Sequence, residues 1–105
     1  MLSRGHLDDP TQAPDTGERF ETLASVRGVV VEHILSSASD VPVRYVQDQD
    51  EWVVVLTGAA VVDVDGALHQ LGAGDWLLLP AQVPHTVVRT AAATTWLAVH
   101  IPPPA

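Results

Sequence analysis

The feature that most constrains this chain is the run Val61-Val62-Asp63-Val64-Asp65-Gly66-Ala67-Leu68-His69. Asp-Gly accepts positive φ at both central positions of a two-residue turn, so two short strands must fold back on each other here. The same grammar recurs along the chain. Runs rich in valine, leucine and threonine are separated by turn signals at Gly58-Ala59, at Gly72-Ala73-Gly74-Asp75 and at the alanines 91–93. Strands are expected at about 27–35, 43–47, 51–57, 60–65, 67–71, 76–80, 84–90 and 94–101. Eight short antiparallel strands in succession predict an all-β, single-domain antiparallel jelly-roll, a double-stranded β-helix barrel. Residues 1–18, with Pro10, Pro14, Gly17 and four acidic residues, read as a flexible polar arm, and 19–105 as the barrel domain.

Two expected strands fail to alternate. Glu51-Trp52-Val53-Val54-Val55-Leu56 and Trp76-Leu77-Leu78-Leu79 are apolar on both faces. A strand without a wet face needs cover on both sides. A homodimer is the expected cover, with the N-terminal segment folded across, or burial as central strands of one barrel, as the alternatives.

Composition removes several functions. The chain has 105 residues, 47% hydrophobic and 17% charged, enough for one core and no second domain. Its net charge is −8, and its five basic residues are scattered arginines. Neither a nucleic acid nor an anionic membrane is an expected partner. There is no cysteine and no lysine, so thiolate ligands, disulfides and lysine Schiff bases are excluded. No signal peptide is visible, and no apolar run approaches the roughly 20 residues needed to cross a bilayer. A soluble, cytoplasmic protein is the expectation.

The segment from Gly74 to His85 carries more punctuation than packing needs. A Gly-Asp turn launches an apolar strand, Pro80 stops its ladder, and Pro84 stiffens the chain just before His85. Glu51 opens an otherwise apolar run, where an inward carboxylate is costly unless paired or bound to a metal.

At these residues the chain resembles the cupins. Their second motif is Gly, five residues, Pro, one residue, Gly, two residues, His, three residues, Asn. Gly74, Pro80 and His85 match it, while Gln82 and Arg89 replace the second Gly and the Asn. Their first motif ends in Glu, six residues, Gly, matched by Glu51 and Gly58; Tyr45 and Gln47 fall where its two histidines would be. Cupins commonly hold a divalent metal through three imidazoles and one carboxylate. The resemblance thus implies a ligand set of His85, Glu51, Gln47 and Tyr45, which either holds Zn²⁺, Fe²⁺, Mn²⁺ or Ni²⁺ loosely or holds none. Tyr45, Gln47 and Glu51 share odd parity, so a continuous strand would project all three from one face.

Arg89, four residues beyond His85, is expected on the same face, where it would bind a substrate carboxylate or pair with an internal acid. His100 shares a face with Trp96 and Ala98 and is a candidate substrate contact or proton carrier. Parity cannot say which face of its strand, or of His33's, is inward. His69 is expected at the surface. Two functions stay open. One is a metal-dependent isomerase, lyase or dioxygenase acting on a small polar molecule, with Glu51 and His85 as acid and base. The other is a metal-free module that only binds a small ligand. A structural protein assembling through its apolar faces is a third. Without a Gly-x-Ser-x-Gly elbow, nucleophilic hydrolysis is not indicated.

Overall fold

A computed structural model describes residues 2–104; Met1 and Ala105, which bound the expected arm and domain, lie outside the described residues. The elements are a 3₁₀ turn (Pro10–Gln12) and the strands β1 (Glu18–Val26), β2 (Val29–Ser36), β3 (Val43–Tyr45), β4 (Asp50–Thr57), β5 (Ala59–Val64), β6 (Ala67–Gly72), β7 (Trp76–Leu79), β8 (His85–Thr90) and β9 (Thr94–Ile101). They form two sheets, ordered β1-β2-β9-β4-β7 and β3-β8-β5-β6, with every pairing antiparallel. This is the expected all-β jelly-roll. No helix among the described residues is long and apolar enough to cross a membrane.

Among the described residues there are nine strands where eight were expected, because β1 occupies the end of the expected arm and the start of the barrel domain, where no strand was expected. Arg27 and Gly28 adopt φ of 50° and 80°, a two-residue turn that folds β1 back on β2. The Asp65-Gly66 hairpin forms as read, with φ of 50° and 91°. β3 ends at Tyr45, so Gln47 lies in a loop rather than on a strand.

The core fills the space between the sheets. Val53 and Val55 of β4, Ala60 and Val62 of β5, and Leu71, Leu79, Trp96 and Ala98 form one buried cluster with Ile34. Trp96 Nε1 donates to Ser36 Oγ at 3.0 Å, and Ser36 in turn donates to Glu18 Oε2 at 2.7 Å. The buried indole N–H is therefore satisfied by a relay that ends on β1.

The outer face of the first sheet is uneven. Leu35 and His33 are buried there, while Trp76 and Leu78 are 58% and 56% exposed. At the covered end Arg19 is ion-paired with Asp8, and Pro10, Ala13 and Pro14 of the preceding segment are half-buried. At the other end β7 is the edge strand, and Trp76 tilts against Trp52 with ring centroids 6.1 Å apart.

The chain passes from one sheet to the other at Gly58, where φ is +87°. A Cβ there would lie 2.7 Å from the Thr94 Cα, against backbone that cannot yield. Thr94 is fully buried, and its hydroxyl donates to Ala91 O at 2.7 Å, clamping the β8–β9 turn beside this corner. Gly58→Ala is expected to lower stability by at least roughly 1–3 kcal/mol from the backbone conformation alone, read from chemical denaturation. Gly5→Ala meets nothing within 4 Å and serves as the neutral control.

Candidate functional site

Two cross-strand pairs face each other inside the barrel. Glu51 of β4 is directly opposite His100 of β9 in the first sheet, and Tyr45 of β3 is directly opposite His85 of β8 in the second. Directly opposite side chains on one side of a sheet stand close enough to interact. The Tyr45 and His85 rings accordingly stack, with centroids 5.5 Å apart and planes 19° apart. Around these pairs lies a cavity of about 120 Å³, completed by Glu18, Phe20, Glu32, Gln47 and the apolar side chains of Ile34, Val53, Val62, Leu79, Val87 and Trp96.

Glu51 is 7% exposed. Burial pushes its carboxyl pKa above the ordinary value, more than the neighbouring His100, His85 and Gln47 amide pull it back down. His100 Nδ1 lies 4.0 Å from Glu51 Oε1. The same nitrogen is 2.9 Å from Gln49 Nε2, which donates to it, so the ring proton sits on Nε2 and points at Glu32 Oε1, 3.2 Å away. His100 is thereby fixed between two carboxyls. Tyr45 keeps its phenol proton more firmly than usual, because burial and the Glu18 and Glu51 carboxyls disfavour the phenolate.

Two residues lining this cavity each hold a buried polar atom without a hydrogen-bond partner: His85 Nδ1 and Gln47 Oε1. Buried groups are nearly always satisfied, so such a pair on one cavity marks where a ligand can bond.

Tyr45, Gln47, Glu51, His85 and His100 therefore line one hollow. The parity argument for the first three had the wrong premise, since β3 and β4 lie in different sheets and Gln47 sits between them. They converge because the barrel closes. Arg89 does not join them. The β5–β8 register pairs Val62 with Val87 but Val61 with Arg89, so Val88 is bulged out. One extra residue reverses the alternation, turning Arg89 to the exposed outer face; the shared face with His85 expected from counting is corrected. His33 points outward beneath the covered part of the first sheet, on the face opposite Glu32. Glu18 and Glu32 were missed. Glu32 stood in an apolar run, as Glu51 does, and could have been flagged; Glu18 lay in a stretch read as arm.

Gln82 shows what replaced the motif glycine. It keeps a left-handed φ of 66°, its N–H donates to Gln47 O at 2.8 Å, and its amide donates to Asp48 at 2.8 Å. The loop carrying Gln47 is thus tied to the loop preceding His85.

The donors do not make the expected metal cage. Among the described residues no three His, Cys, Asp or Glu side chains cluster as a ligand set. Tyr45 holds its proton, and Gln47 offers only an amide oxygen, a weak donor for the metals of the first transition row.

The family model described as a cupin domain matches residues 30–100. A structure from Ralstonia eutropha JMP134, named "putative mannose-6-phosphate isomerase", is 33% identical, covers 94% of this chain and 100% of its own, and superposes with a TM-score of 0.79. An RmlC-like cupin from Shewanella frigidimarina NCIMB 400 (19% identical, 98% and 96% covered, TM-score 0.71) shows the same fold. So does the polyketide cyclase RemF from Streptomyces resistomycificus (17% identical, 96% and 80% covered, TM-score 0.70). A search of the curated proteins matched none. With the barrel, the Glu51–Gly58 and Gly74–Pro80–His85 spacings and this match over most of its length, the chain belongs to the cupin family.

Proposed function

We propose that the barrel cavity binds a small polar organic molecule and moves a proton on it, with Glu51 as the acid–base group and without a bound metal. The observation that carries this reading is the company Glu51 keeps: a desolvated carboxyl with a raised pKa, on the same wall as two unpartnered buried polar atoms. Burial brings a carboxyl toward the range in which it can both hold and release a proton near neutrality. His85 Nδ1 and Gln47 Oε1 would orient the ligand, and His100, aimed by Gln49 and Glu32, would hold the wall beside Glu51 in place. The relatives named as an isomerase and a cyclase agree with chemistry on a small organic molecule. A second reading, binding without turnover, draws support from the Tyr45–His85 stack, which occupies two positions where the family motif has ligating histidines.

Glu51→Gln separates the two when ligands found by screening are followed by NMR. Retained binding with loss of solvent-proton exchange on the ligand supports the acid–base role; exchange that survives the substitution removes it. Elemental analysis of the purified protein is expected to find less than stoichiometric transition metal. A full equivalent that disappears in His85→Ala would overturn the metal-free part.

Stability gives an independent check. Because the folded chain holds the Glu51 proton more tightly than the unfolded chain, stability from this group falls as pH rises from the unfolded value near 4.5 through the raised folded value. Glu51→Gln is therefore expected to melt higher than the native protein at neutral pH. The gain should shrink on acidification, and an equal gain at both ends would mean that Glu51 ionises freely.

The exposed Trp76 and Leu78, beside half-buried Trp52 and Val54, support pairing with a second copy through the outer face of the first sheet. Light scattering is expected to show a dimer that Trp76→Asp converts to monomer; an unchanged mass for the variant would remove this face as the interface.

A further inference from the structure

We propose that the ligand entering this cavity is a small organic cation, a primary ammonium compound, and that anionic ligands are excluded. The inference rests on the reading of the cavity as the ligand site.

Three carboxyl side chains, Glu18, Glu32 and Glu51, lie on one wall system of about 120 Å³. Glu18 accepts from Ser36 and Glu32 faces His100, contacts that aim these groups without supplying a guanidinium or ammonium. The chain has no lysine, and its arginines are elsewhere. Arg19 is held by Asp8 and Glu21, Arg89 is turned outward by the bulge, Arg44 is exposed on β3, and Arg27 and Arg4 are exposed in a turn and in the arm. An anion placed here would meet carboxyls and only imidazoles to offset them, inside a hollow where charges are poorly screened.

The unpartnered atoms point the same way. His85 is 6% exposed and leaves Nδ1 without a partner; Gln47 leaves its amide oxygen, an obligate acceptor. A ligand that satisfies Gln47 Oε1 must donate. The imidazole accepts at Nδ1 when its proton is on Nε2. A primary ammonium has three N–H donors, enough in number for a carboxylate, Gln47 Oε1 and His85 Nδ1, whereas a carboxylate group has none.

The volume limits the rest of the molecule. A cavity of about 150 Å³ holds one benzene, so at about 120 Å³ the ammonium head and a short chain fit inside, and a ring must sit partly in the mouth. Benzylamine, benzyl alcohol and benzoate form a matched series of one shape and three charges. Titrations followed by amide NMR at physiological ionic strength are expected to show benzylamine binding at least about tenfold more tightly than benzyl alcohol, with no saturable binding of benzoate. Glu18→Gln should weaken benzylamine by roughly tenfold, while Asp15→Asn on the exposed arm leaves it unchanged.

Benzoate binding as well as benzylamine, no binding of benzylamine, or indifference to Glu18→Gln would each overturn the cation assignment. If benzyl alcohol alone binds and is lost in His85→Ala, the cavity remains the ligand site and only the charge preference falls. Shifts confined to residues outside the cavity and insensitive to His85→Ala would overturn both.

Discussion

The corner at Gly58 is the constraint on which the rest depends. Strand β4 delivers Glu51 into one sheet, and seven residues later the chain must leave that sheet and begin the other. The turn requires a positive φ and a backbone-to-backbone approach to Thr94 that no side chain could survive. Once made, it sets the two sheets face to face. The Glu51–His100 pair and the Tyr45–His85 pair then meet across a hollow rather than lying on separate surfaces. The end of the barrel near the corner is filled by valine, alanine and leucine, while the far end is left to polar groups.

Those polar groups are kept at an energetic disadvantage. Glu51 lies in a desolvated place, the nearby imidazoles and amide offset its burial only in part, and two further buried atoms go without hydrogen bonds. A fold optimised for stability alone would fill such a hollow with hydrocarbon. Elsewhere the same barrel satisfies most of its buried polar groups, His33 Nδ1 under the outer face being the exception among the described residues. The Trp96–Ser36–Glu18 relay accounts for an indole N–H, and Thr94 closes a corner with its hydroxyl. Two of the three buried polar atoms without a partner among the described residues belong to side chains lining this one cavity, which is what a binding site requires.

The outer face of the first sheet obeys a different rule. It is apolar along most of its length, yet the described chain protects only one end of it, where the Arg19–Asp8 pair ties down the segment before β1. At the other end Trp76 and Leu78 remain in contact with solvent. An edge strand with a tryptophan on its open face is a surface that gains by association.

Local residue order by itself determined the strand-and-turn architecture. The Asp65-Gly66 hairpin, the Gly58 corner and the Pro-flanked approach to His85 are set by backbone sterics that act within a few residues, and the cupin spacings followed from them. Glu51 was legible for the same reason, as a charge in an apolar run. What lies beyond a few residues was not. Tyr45 and Gln47 join Glu51 through closure of two sheets, not through parity on one strand. A single bulged valine sends Arg89 outward, and no local signal announces it. The inward turn of His100, and the carboxyls of Glu18 and Glu32 beside it, were decided only when β1, β2 and β9 took their places. Strand pairing register depends on contacts between residues up to 70 positions apart, as in Val30 opposite His100, and one residue of slip exchanges the faces. Counting along the chain gives the alternation, but only the assembled barrel says which side is the inside.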